Sequence, residues 1–146
     1  MAASVNFTNP SDAEIREILA HPVTVAVLGC SNNPARDSLR IAILLRRRGF
    51  RVIPVNPQLA PEALMGSLGE RCYPDLASIP ERIEMVDVFR RPEYLPGIVA
   101  EAIAKGARIL WCQLGVVNLE AAARAKASGM TVVMDRCPAI EYARLF

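Results

Sequence analysis

Histidine is nearly absent from this chain: one residue in 146, His21. That scarcity excludes a His-based metal site and any Ser–His–Asp or Cys–His constellation near the loops described below. The four cysteines, Cys30, Cys72, Cys112 and Cys137, include no CxxC pair and no metal-ligand rhythm. In a chain with a full core they read as reduced thiols rather than a disulfide framework. No stretch reaches the roughly 18 apolar residues of a membrane helix; the longest runs are Val23–Leu28 and Ile41–Leu45. The first ten residues, MAASVNFTNP, hold neither Lys nor Arg and no apolar core of a secretory signal. The expectation is a soluble cytoplasmic protein. Charge of one sign is also missing. The net charge of +2 is too small to argue for a duplex nucleic acid or an anionic membrane as partner, so any anion specificity must come from local arginines.

What is present is 52% apolar and 22% charged, enough for one sizeable core. Apolar strand patterns alternate with helical ones. Thr24–Gly29, Arg51–Val55, Met85–Phe89, Arg108–Cys112 and Met130–Met134 are short and apolar on both faces, as buried parallel strands are. Helices are expected over Ser38–Arg48, closed by cations and Gly49, from Pro92 to Lys105, and over Asn118–Ser128 with Asn118 as N-cap. Ser11–Ala20 forms an N-terminal helix in which Ser11 and Glu14 make a capping box. Gln58–Glu70 reads as a loop with one helical turn, Arg71–Tyr73 as a short edge strand, and Ile140–Phe146 as a terminal turn. The fold class is therefore α/β, a Rossmann-like three-layer sandwich on a mostly parallel sheet of about five strands. Residues 1–22 form an N-terminal helical part of the same domain as residues 23–146.

Ligands of such sheets bind outside the carboxyl ends of the strands, at the switch point. The first loop there, GCSNNPARDS, leads from a strand into a helix. Backbone N–H groups and the helix dipole favour a phosphate at such a place, with Arg36 to neutralise it. The same segment also reads as an ordinary strand–helix connection. It lacks GxGxxG, and Asn56-Pro57 stands where an NAD site wants an acid for the ribose, so an NAD(P) dehydrogenase is disfavoured. Walker A is absent too. Phe89–Pro92 puts an aromatic and two arginines at a strand end, with forks suited to phosphate. Cys30, Cys112 and Cys137 also fall at strand ends, either as buried small hydrophobes or as a thiol that meets a thiol ligand.

VAVLGCSNNPARDS, VIPVNP, DVFRRPEYLP, WCQLGVVNLEAAARA and VVMDRCPAIEYARL together resemble the small stand-alone CoA-binding proteins. These are similar to the CoA-binding domain of the succinyl-CoA synthetase α subunit. The resemblance runs from about Thr24 to Leu145. It implies coenzyme A held along the strand carboxyl ends. Gly29, Ser31 and Arg36 would serve the phosphates, and Asn56 and Pro57 would border the adenosine. Phe89 and Arg90 would line the cofactor. Gln113, Gly115 and Asn118 would face the pantetheine arm, and Asp135, Arg136 and Cys137 would close the far end. Cys30 stands where the family usually has Ala. The ligases carry their phosphorylated His in another domain, which implies that this chain alone does not ligate CoA to acids.

The leading function is binding of CoA or an acyl-CoA as a non-catalytic carrier, sensor or regulatory module. Two others stay open. One is an enzyme acting on a CoA thioester or CoA disulfide through Cys137 or Cys30. The other is an NAD(P)- or adenine-nucleotide-binding module.

Overall fold

The computed structural model describes residues 7–146; residues 1–6, part of the 1–22 segment above, lie outside it. Five strands, β1 (Thr24–Leu28), β2 (Arg51–Val55), β3 (Met85–Val88), β4 (Ile109–Cys112) and β5 (Thr131–Val133), form one sheet in the order β2-β1-β3-β4-β5. All four pairings are parallel, so the sheet is wholly rather than mostly parallel. Six helices accompany it: α1 (Asp12–Ala20), α2 (Asp37–Arg47), α3 (Met65–Leu68), α4 (Leu95–Lys105), α5 (Leu119–Ala127) and α6 (Pro138–Leu145).

Alternation along each strand explains the three layers. Ala26, Leu28, Val86, Val88 and Leu110 face one way and pack with Leu95, Val99 and Ala102 of α4 and Ala122 and Ala125 of α5. Val25, Val27, Met85, Ile109 and Trp111 face the other way and pack with Ile15 and Leu19 of α1, Leu39 and Leu45 of α2 and Tyr142 of α6. Both faces are apolar because both are covered by helices. Truncating a residue such as Leu45, fully buried, costs about 2–5 kcal/mol. Trp111 is part of this core, whereas Phe146 is half exposed.

The capping box at Ser11 and Glu14 forms as its sequence predicts. Asn118 caps α5 by accepting from the Ala121 N–H at 3.1 Å. Three elements differ from expectation. The strand over Arg71–Tyr73 shrinks to a single parallel bridge between Tyr73 and Val55. Pro74 follows at once, with no N–H and a fixed φ, and the chain leaves the sheet. Pro92–Tyr94 is a 3-10 turn that leads into α4. The C-terminal turn over Ile140–Phe146 is a full helix, α6, that begins two residues earlier because Pro138 sits at its first position, where its ring pre-sets φ. Among the described residues no helix is long and apolar enough to cross a membrane.

The topology fixes where a ligand can enter. The chain leaves β1 for β2 on one side and returns to β3 on the other, so the connections after β1 and β3 diverge above neighbouring strand ends.

Candidate functional site

Gly29 lies at that divergence. Its φ of +81° is left-handed, and a Cβ there would lie 3.0 Å from the Phe89 carbonyl oxygen and 3.2 Å from Cδ of Arg90. Only glycine lets the two loops meet so closely. The Gly29 N–H donates to the Val55 oxygen at 2.9 Å, which ties the loop to β2 as well.

The rest of the first loop is shaped by its own side chains. Ser38 Oγ accepts from the Ser31 N–H at 3.0 Å, Ser31 Oγ from the Asn33 N–H at 3.0 Å, and Asn33 Oδ1 from the Ala35 N–H at 2.9 Å. The chain then enters α2 with Arg36 at the N-cap and no side-chain capping bond. First-turn N–H groups of a helix have no intrahelical partner, so this end offers donors and a positive dipole to an anion. The Arg36 side chain is exposed and makes no ion pair among the described residues. A cavity of about 530 Å3 opens here, lined by Gly29, Ser31, Arg36, Asp37, Ser38 and Phe89.

Two further cavities join it. Toward α4, Gly29 also lines a cavity of about 220 Å3 with Val55, Pro57, Pro74, Arg90 and Tyr94. There the Arg90 guanidinium stacks 4.5 Å from the Tyr94 ring centre. Toward α6, Asp37 and Phe89 also line a groove of about 730 Å3 with Leu44, Gln113, Leu114 and Cys137. The shared residues set the three cavities side by side at the switch point, a trench-like row from the α4 face to the α2–α6 face.

Of the residues singled out in the sequence, Gly29, Ser31, Arg36, Pro57, Phe89, Arg90, Gln113 and Cys137 line this trench. Asn56 stands beside it as a brace: its Nδ2 donates to the Cys30 oxygen at 3.0 Å and its Oδ1 accepts from the Gln58 N–H at 2.9 Å. Gly115, Asn118, Asp135 and Arg136 line none of the three cavities. Asn118 is occupied as a helix cap. Asp135, at φ +58°, accepts from the Gly115 N–H at 2.8 Å and so joins the ends of β4 and β5. Arg136 donates to the neighbouring Asp135 oxygen at 2.9 Å, and its own carbonyl accepts from the Trp111 indole at 2.9 Å.

The cysteines separate by burial. Cys30 and Cys112 are fully buried, and burial pushes each thiol up to about 12, so both stay protonated at neutral pH. Cys137 is partly exposed in the groove. Asp87, in the middle of β3, is the buried acid beneath the site that the sequence pattern hides. It is fully buried, its Oδ1 accepts from Gln113 Nε2 at 2.5 Å, and its Oδ2 has no partner among the described residues. The signal was an acid inside MVDV, a strand otherwise apolar on both faces. Arg40, paired with Asp37 and one of the arginines that could offset the charges of CoA, also reaches the groove, as does Arg47, which the sequence did not single out.

Residues 23–143 match the model of the CoA binding domain family. The chain belongs to that family. It is 39% identical over 135 residues to the Bacillus subtilis (strain 168) protein YneT, covering 92% of this chain and 96% of that one. A solved structure of a hypothetical protein from Pyrococcus horikoshii OT3 superposes with a TM-score of 0.85 at 36% identity, over 99% of both chains. The chain is also 30% identical over 90 residues, 60% of its length, to an ADP-forming acetate–CoA ligase II of Archaeoglobus fulgidus, of which that stretch is only 13%. Family and topology thus agree on a Rossmann-like CoA-binding fold.

Proposed function

We propose that this protein binds coenzyme A, free or acylated, along the trench and acts as a carrier, sensor or regulatory module without turning its ligand over. The observation that supports this reading is the adjacency of the three cavities at the carboxyl ends of the strands, which share Gly29, Asp37 and Phe89 as lining residues. The uncapped N-terminus of α2 and the free Arg36 guanidinium suit the diphosphate. The small cavity between Pro57 and the Arg90–Tyr94 stack suits the adenosine. Phe89 and Gln113 would flank the pantetheine arm as it leaves toward Cys137. The donor set fits an anionic nucleotide with a long neutral arm.

His21 takes no part in this arrangement. It follows α1, its Nδ1 lies 2.9 Å from the Glu17 oxygen, and it borders the opposite ends of the strands. The likeness to part of an acetate–CoA ligase therefore supports the CoA site rather than the ligase reaction. A second reading, thiol chemistry on a CoA thioester or CoA disulfide, retains only Cys137, because the Cys30 thiol is closed off and protonated.

Calorimetry in reductant with CoA, acetyl-CoA, 3′-dephospho-CoA, NAD and ATP tests the proposal. CoA is expected to bind tightly, with the 3′-phosphate contributing. Binding of NAD or ATP but not CoA would overturn the choice of ligand. Conversion of acetyl-CoA during the titration would overturn the non-catalytic role.

A further inference from the structure

The groove toward α6 is built differently from the rest of the trench. Its wall is one face of α2, on which Ile41 and Leu44 stand between Arg40 and Arg47, a spacing of i, i+1, i+4 and i+7. Ile43 lies beside them, and Leu114 faces them from the loop after β4, with Ala139 from α6. Leu114 is 57% exposed, a large apolar side chain at a loop tip. Ile43 and Leu44 are only partly buried. So an apolar slot of about 730 Å3 lies beside the cavity at the N-terminus of α2, where Arg36 and the first-turn N–H groups suit an anion, and the two share Asp37 and Phe89. Such a pair of neighbouring sites fits an amphiphile with an anionic head and an apolar tail.

We infer that the slot takes the acyl chain of a CoA thioester, so the ligand class is apolar acyl-CoA rather than free CoA. This rests on the CoA reading above. An arm that runs past Phe89 to Gln113 ends there in a small thiol when CoA is free, and the Leu44 and Leu114 walls stay in water. An alkyl chain on that sulfur continues into the slot and covers them. Each methylene removed from water adds up to about fourfold in affinity. Arg40 and Arg47 line the same groove, and long basic side chains lay their apolar stems along such surfaces with the charged head in water. Neither guanidinium then needs to be desolvated by the chain.

Titrating CoA, acetyl-CoA, butanoyl-CoA and octanoyl-CoA into the intact protein in reductant tests this. Affinity is expected to rise with chain length, by about tenfold or more from acetyl to octanoyl. The octanoyl-to-acetyl ratio should fall close to one in Leu114→Asp, a change at an exposed site, and in Ile43→Asp. Equal affinities for CoA and octanoyl-CoA, or a ratio that survives in both variants, would overturn the inference and leave CoA binding itself standing. If no CoA species binds, the CoA reading falls, and the inference falls with it.

Discussion

Gln113 and Asp87, 26 residues apart in sequence, meet at 2.5 Å across neighbouring strands: the Gln113 Nε2 donates to Asp87 Oδ1. Gln113 lines the groove toward α6, whereas Asp87 is sealed beneath it. Burial raises the Asp87 carboxyl from 3.8 to about 7, and the Gln113 bond only partly opposes this. Between about pH 4 and 7 the folded protein holds a proton that the unfolded chain has released. Stability is therefore full below pH 4, falls as pH rises to about 7, and is level above it. The slope is at most about 1.4 kcal/mol per pH unit. Chemical unfolding of wild type and Asp87→Asn between pH 4.5 and 8 checks this. The substitution is expected to flatten the slope, and an unchanged slope would contradict the assignment.

Gly29→Ala should be costly. It forces a side chain into a left-handed backbone at φ +81° and against the Phe89 carbonyl. The expected loss is roughly 1–3 kcal/mol in thermal or chemical unfolding. Ligand affinity should fall with it, because the two loops at the switch point can no longer close up. Gly97, around which nothing lies within 4 Å of a built Cβ, is the control and should tolerate Ala.

Arg36→Ala should leave stability unchanged, since its exposed guanidinium forms no ion pair among the described residues. The same change is expected to weaken CoA about tenfold and to flatten the salt dependence of binding. Calorimetry at two ionic strengths reads both effects. An Arg36→Ala protein with wild-type affinity would move the phosphates elsewhere.

Cys137 should react with iodoacetamide in the native protein, while Cys30 and Cys112 react only after unfolding. Mass spectrometry of peptides alkylated before and after denaturation separates the three. Native labelling of Cys30 would show that the loop after β1 opens.

Asn9 holds the edge of the sheet. Its Oδ1 accepts from the Met134 N–H at 2.7 Å and its Nδ2 donates to the Met134 oxygen at 2.8 Å. Asn9→Ala removes both bonds beside β5 and should cost roughly 1–2 kcal/mol. A protein of unchanged stability would show that water replaces the amide without loss.

The sheet was legible because short continuous apolar runs, such as Val25–Leu28 and Ile109–Cys112, reflect burial on both faces. Caps at Ser11 and Asn118 were legible because capping is local. The cavity at the loop after β1 was legible from that loop's place between a strand and a helix. Other features depend on distant partners. Nothing in MVDV shows that the acid is met by Gln113, and nothing in Asn9 points to Met134. The uncovered face of α2 could not be seen either: the spacing of Ile41 and Leu44 is that of any core-facing helix, and only the position of α6 leaves part of it open. Asn118, Asp135 and Gly115 carry strand-end positions like the others, yet their polar groups join chain to chain. Sequence order alone does not separate a loop that lines a cavity from one that braces its neighbour.

The most direct measurement is an amide chemical-shift map of the protein titrated with CoA. The account predicts perturbations at Gly29–Ser38, Phe89–Arg91 and Gln113–Gly115, with none at His21 or along the outer face of α1. Shifts confined to the His21 end of the sheet, or none at saturating CoA, would contradict it.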